Sequence, residues 1–198
     1  MRQTLFACVV AASSGLCLCA AAKASTKVSV KTTHYAIDGQ TGEALVAQMD
    51  RYGPKHGYLT RAIAQTKYRM RSDAVWRYEK GYCRPADPVV RLDITYVYPR
   101  VASPMSAALR ARWARFMRGV ERHEQKHGRI ARDMANAAAS AIGKMRFADN
   151  SGCMKSRALL KHHLGKIVAA YERKQVAFDE AEHRDGGPVD SLLWALRK

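Results

Sequence analysis

The chain has 198 residues, 47% of them hydrophobic and 26% charged, with 13 Gly and 6 Pro. That length and balance suit one globular domain with a sizeable core; they exclude two ordinary domains, whole-chain disorder and a collagen-like or linker-like chain. The formal net charge of +17 is the outlier, and it bears on partners rather than on fold.

The N-terminus reads as a secretory signal over residues 1–24. Arg2 gives a short positive start, Leu5 to Leu18 is apolar or small, and Ala22-Lys23-Ala24 offers the small residues that cleavage before Ser25 needs. No later stretch is long and apolar enough to cross a bilayer. The expected product is a single domain over 25–198, secreted or periplasmic. Removing the signal takes Arg2 and Lys23 from the 34 basic residues and none of the 17 acidic ones, so the charge falls from +17 to +15. For an exported protein this favours an anionic envelope surface or an acidic substrate as partner. Nucleic acid is not expected, because no recognised nucleic-acid motif accompanies the charge. Cys8, Cys17 and Cys19 leave with the signal. Cys83 and Cys153 remain in an oxidising compartment, where one disulfide is expected to tie the strand region to the helical region.

Along the mature chain, Val28, Val30 and Thr32 alternate like a strand, and Thr41 to Met49 reads as a short helix starting at a cap. Tyr52-Gly53-Pro54 and Gly57 make a loop, and Tyr68 to Tyr78 is extended. Val90, Leu92, Ile94, Tyr96 and Tyr98 then alternate along the strongest strand, expected to end at Pro99. Strands do not alternate with helices as a parallel sheet requires. The expected class is therefore α+β, a small antiparallel sheet packed against a long helix and further C-terminal helices.

Ser103-Pro104 reads as the start of that long helix. Leu109, Trp113, Phe116, Val120, His123, His127, Ile130 and Met134 follow in steps of four and three. At about 100° per residue they share one stripe. Arg115, Arg118, Arg122, Gln125 and Arg129 fall on the wet side. The two histidines therefore face the protein.

His123-Glu124-Gln125-Lys126-His127 is the His-Glu-x-x-His pattern of zinc hydrolases. Four-residue spacing stacks two imidazoles one turn apart, close enough to ligate one Zn²⁺ at about 2.1 Å each. Glu124 lies about 100° round from His123, where it serves as general base toward water activated by the metal. Chance produces the pattern in about one of a hundred chains of this composition. For the third ligand, Asp133 stands six residues after His127, as in metzincins, but Ile130 occupies the place of the helix-breaking glycine. A continuing helix aims Asp133 about 120° away from His127. The second long helix carries an apolar stripe of Leu160, Leu164, Ile167, Tyr171 and Phe178. Glu172 lies beside this stripe, and His183 closes the helix near Asp179, Glu180 and Glu182. His183 is the preferred third ligand, ahead of Glu172 and Asp133, while the adjacent His162-His163 point to different sides.

Several segments resemble a bacterial family of secreted zinc-dependent proteases that is itself functionally uncharacterised. They are His34 to Gly42, Ala74 to Tyr78 with Cys83, Leu92 to Tyr96 running to Pro99-Arg100, Trp113, the His123 to His127 motif, and Cys153. The family's C-terminal region carries an aromatic-Asp pair shortly before His-Gly. Here Phe178-Asp179 precedes His183, with Arg184 in the glycine's place. The resemblance implies the α+β fold, zinc, and hydrolysis of peptide or protein substrates. An alternative of another class is a non-catalytic envelope-binding protein with a structural metal, which four protein ligands would mark. A basic surface-binding module without metal would need both histidines satisfied by hydrogen bonds.

Overall fold

The computed structural model describes residues 24–56 and 60–198. Residues 1–23 of the expected signal segment (1–24), and Gly57 of the expected loop, lie outside the described residues. The chain forms β1 (Ser25–Ile37), α1 (Gly42–Tyr52), the short β2 (Lys55–His56) and β3 (Thr60–Arg61), then β4 (Gln65–Glu79) and β5 (Tyr82–Val101). Next come α2 (Ala107–Gly143), β6 (Phe147–Ala148), α3 (Met154–His183) and α4 (Pro188–Arg197). Thr41 caps α1 as expected, its hydroxyl accepting from the Ala44 amide at 3.1 Å. Among the described residues, no helix is long and apolar enough to cross a membrane.

The α+β class holds, but the sheet is mixed rather than wholly antiparallel. Its order is β1-β5-β4, with β4 antiparallel and β1 parallel to β5. The connectivity explains the parallel pair. α1 and the small β2–β3 hairpin carry the chain from the end of β1 across a one-strand gap to the start of β4. The tight β4–β5 hairpin then drops β5 into that gap, antiparallel to β4 and so parallel to β1. Asp87, at φ 47, and Pro88 lie opposite the register break between Asp73 and Val75, where a bulge absorbs the interruption. Pro99 does not end the strand, which runs on to Val101. β4's last partner is Val97, so the proline falls where β5 has become an edge on that side.

Val90, Leu92, Ile94, Tyr96 and Tyr98 are all buried, and this face of β5 is the floor of the core. α2 lies across it with Leu109, Phe116, Val120 and a run of small residues, Ala131, Ala135, Ala138 and Ala139. Burying a side chain such as Phe116 contributes about 1.5–3 kcal/mol. The helix begins later than expected. Ser106 is the N-cap, accepting from the Leu109 amide at 3.2 Å. Ser103 instead braces the turn after β1, its hydroxyl accepting from the Gly39 amide at 3.0 Å and donating to the Gly39 carbonyl at 3.2 Å. A serine three residues upstream is equally cap-like in sequence, and the tertiary partner decides between them. Gly128 sits where α2 meets the sheet: a Cβ there would lie 1.9 Å from the Tyr96 hydroxyl oxygen.

Cys83 and Cys153 form the expected disulfide, with Cα atoms 5.5 Å apart across a sequence separation of 70. It ties β5 to the N-terminus of α3, not to α2. Cys153 itself occupies the N-cap at φ 70 and makes no side-chain cap bond. Asp149 does that work from four residues upstream. Its carboxylate accepts from the Ser151 amide and hydroxyl and from the Ser156 amide and hydroxyl. These bonds, the Ser151 hydroxyl first, hold it well below the usual carboxylate range.

Two outcomes follow for stability. Gly128→Ala should force α2 off Tyr96 and lower stability by roughly 1–3 kcal/mol in a denaturant titration, whereas Gly165→Ala on open surface should not destabilise. Unreduced, unfolded protein should show no free thiol at Cys83 or Cys153, and reduction should cost about 4 kcal/mol in the loop-entropy picture.

Candidate metal centre

His123 and His127 project from the middle of α2 toward the last turns of α3, as their place on the apolar stripe requires. α3 meets them with Gln175, Asp179 and His183, spaced four residues apart and hence on one face, and with Phe178 and Glu182 beside them. His123 Nε2 lies 3.1 Å from His127 Nε2, Asp179 Oδ1 lies 2.9 Å from His127 Nε2, and Asp179 Oδ1 lies 3.3 Å from His123 Nε2. Ligands about 2.0–2.2 Å from a tetrahedral ion stand about 3.3–3.6 Å from one another. The triangle of donor atoms is therefore of the size such an ion needs, slightly contracted. His123, Asp179 and His183 offer donor atoms within 4.8 Å of one another and form a candidate metal site. His183 Nε2 is the outlying member, 4.0 Å from Asp179 Oδ1 on a half-exposed side chain.

Tautomers sharpen the point. Gln175 Nε2 donates to the His127 carbonyl at 3.2 Å, so its amide oxygen faces His127 Nδ1, which donates to it at 2.6 Å. That leaves the His127 Nε2 lone pair directed at the Asp179 carboxylate. His123 Nδ1 is buried without a hydrogen-bond partner, and the nearest carboxylate oxygen is Glu182 Oε2 at 3.6 Å. An N–H there would point toward Glu182 and leave His123 Nε2 bare as well. Three lone-pair centres around 3 Å apart repel unless a cation, a proton or a metal ion, lies among them. Titration directions say the same. Burial pulls His127 down and Asp179 up, yet the polar neighbours together outweigh it: Asp179 and Gln175 raise His127, and His123 with His127 holds Asp179 well below the usual carboxylate range. Burial, together with the neighbouring His123, lowers His183.

Phe178 closes one side of the pair, stacked on the His123 ring at 4.9 Å and edge-on to His127 at 5.0 Å. Glu124 lies outside the triangle, turned toward the sheet. Thr66 of β4 stands 2.6 Å from Glu124 Oε2, to which its hydroxyl donates, and 3.0 Å from the Glu124 carbonyl oxygen. Burial raises the Glu124 pKa above its ordinary value, and the Thr66 bond offsets only part of that.

His123, His127 and His183 are thus brought together, with Glu124 adjoining. Glu172 is not among them, since it accepts a 2.6 Å bond from the Tyr68 hydroxyl. Asp133 is exposed on α2, which continues unbroken past it. His162 and His163 are exposed near the middle of α3. Asp179 was not singled out as a ligand from sequence. The available signal was its spacing of four from His183, the same one-turn step that joins His123 to His127, in phase with the helix's apolar stripe.

Fold and site together define an α+β protein with a histidine–carboxylate centre between two helices. The chain belongs to a family described as bacterial protein of unknown function, DUF922, whose model matches residues 32–187. The matched span includes Asp179 and His183. No curated protein and no solved structure matches the chain significantly.

If Gln175 orients His127, then Gln175→Ala should weaken metal affinity about 10–100-fold while the variant stays folded, and competition with a metallochromic chelator measures it. Unchanged affinity would remove Gln175 from the site.

Proposed function

We propose that the protein is an exported zinc-dependent peptidase in which His123, His127 and Asp179 hold the ion and Glu124 is the general base. The observation that carries this reading is the triangle of 2.9, 3.1 and 3.3 Å between the three donor atoms, with a buried glutamate next in sequence to the first histidine. Two imidazoles and one carboxylate, nearly tetrahedral in spacing, suit zinc. Zinc bound there would supply Lewis acidity toward a peptide carbonyl and toward water.

The chain's own residues do the rest. Thr66 holds Glu124 Oε2, and Oε1, which has no partner among the described residues, is the oxygen available to take a proton from water and return it to the leaving amine. Desolvation makes this carboxylate a stronger base near neutral pH than an exposed one. Gln175 fixes the His127 imidazole, and Phe178, stacked on His123, keeps water off one face.

One observation favours the second reading, a structural metal in a non-catalytic protein: His183 could supply a fourth protein ligand and close the shell. The variants separate the two. His123→Ala should abolish tight binding of about one zinc per chain, measured by metal analysis of purified protein. Glu124→Gln should keep the zinc and lower hydrolysis of a casein-type substrate about 100-fold or more. His183→Ala should keep the zinc if His123, His127 and Asp179 suffice; zinc loss comparable to His123→Ala, with no hydrolysis by the unsubstituted protein, would favour the closed, structural site instead.

A further inference from the structure

A cleft of about 400 Å³ opens beside the metal centre, walled by His123, Phe178, Glu182, Pro188 and Leu192 and, along α2, by Arg122, Lys126 and Arg129. Those three basic residues are spaced four and three apart and form one stripe. On the helical wheel the stripe lies about 60–120° from His123 on one side, whereas Glu124 lies about 100° away on the other. The metal-facing histidines therefore sit between a proton-handling flank, against the sheet, and a cationic flank, against the cleft. All three basic side chains are exposed, and among the described residues none is ion-paired.

We propose that this cleft is a binding subsite for acidic peptide segments, seating substrate carboxylates on Arg122, Lys126 and Arg129 and an adjoining apolar side chain against Phe178 and Leu192. The inference rests on the peptidase reading and names its substrate class. The mixed lining favours a peptide over a dense polyanion. Phe178, Pro188 and Leu192 give an apolar wall that a phosphate polymer does not use, and Glu182 repels closely spaced charge. A peptide carries its carboxylates apart and can leave an uncharged residue opposite Glu182.

Binding is separable from hydrolysis. A fluorescein-labelled peptide alternating glutamate and leucine is titrated by anisotropy into the full-length protein carrying Glu124→Gln, with zinc and after chelation, beside the same peptide with glutamine for glutamate. The glutamate peptide should bind, and Arg122→Ala, Lys126→Ala and Arg129→Ala combined should weaken it about tenfold. Lys27→Ala, Lys31→Ala and Lys67→Ala combined remove equal charge from the opposite face of the sheet and should leave affinity unchanged. Equal loss in both triple variants, equal binding of the glutamine peptide, or displacement by polyphosphate at matched charge as effective as by unlabelled peptide would each overturn the proposal. Zinc content of the same samples, with casein hydrolysis by the protein retaining Glu124, tests the peptidase reading on its own, so failure of one is not mistaken for failure of the other.

Discussion

The seating of α2 on β5 at Gly128 governs where everything else can be. With the Tyr96 hydroxyl occupying the space a side chain would fill, the helix lies down on the sheet one residue past His127. That close contact sets the helix's rotation. Glu124 is turned onto Thr66 of β4, and His123 and His127 are turned toward α3. A helix held a few ångströms higher, or turned by half a residue step, would keep the sequence motif and lose the arrangement. Small residues farther along, Ala131, Ala135, Ala138 and Ala139, keep the helix low for three more turns. The chemistry is therefore a property of the interface between helix and sheet as much as of the five motif residues.

Around that fixed rotation, α3 completes a cluster that is unfavourable as neutral chemistry. Two imidazole nitrogens and a carboxylate oxygen within 3.3 Å of one another concentrate acceptors in one place, and the neighbours give no relief. Gln175 fixes the proton of His127 on the far nitrogen, and the Glu182 carboxylate favours the same for His123. Such preorganised repulsion stores affinity for a cation, since the cost of bringing the acceptors together has already been met by the packing of two long helices.

The parts legible in sequence were those governed by a single period. β5 alternates with period two, and each inward residue named from Val90 to Tyr98 is in the core. α2 steps by four and three, and the burial of His123 follows from that count alone. The parts that were not legible depend on choices between equivalent local signals or on distant partners. Ser103 and Ser106 are both cap-like, and only the contact with Gly39 assigns Ser103 elsewhere. Pro99 reads as a strand terminator unless it is known that pairing with β4 stops at Val97. The parallel pairing of β1 depends on which strand fills a gap created by a later hairpin. Asp179 was obscured for a different reason: an acidic residue among Glu180 and Glu182 near a helix end reads as solvated surface. What marks it is its phase with His183, visible once the apolar stripe is extended into the polar turns that follow.

α3 is fastened at its two ends by different chemistry, and the span between is about 45 Å. The disulfide and the Asp149 carboxylate grip its first turn, and the last two turns carry the centre. Between them Leu160 alone is buried until Gln175, Glu172 accepts from Tyr68, and Gly165 faces open space. The helix thus resembles a beam supported at its ends, with little lateral hold along its length. Disturbance at the sulfur end has a long, weakly packed stretch to cross before it reaches the histidines. The two ends of this helix are therefore held by separate contacts, a covalent link to β5 at one end and a polar cluster against α2 at the other.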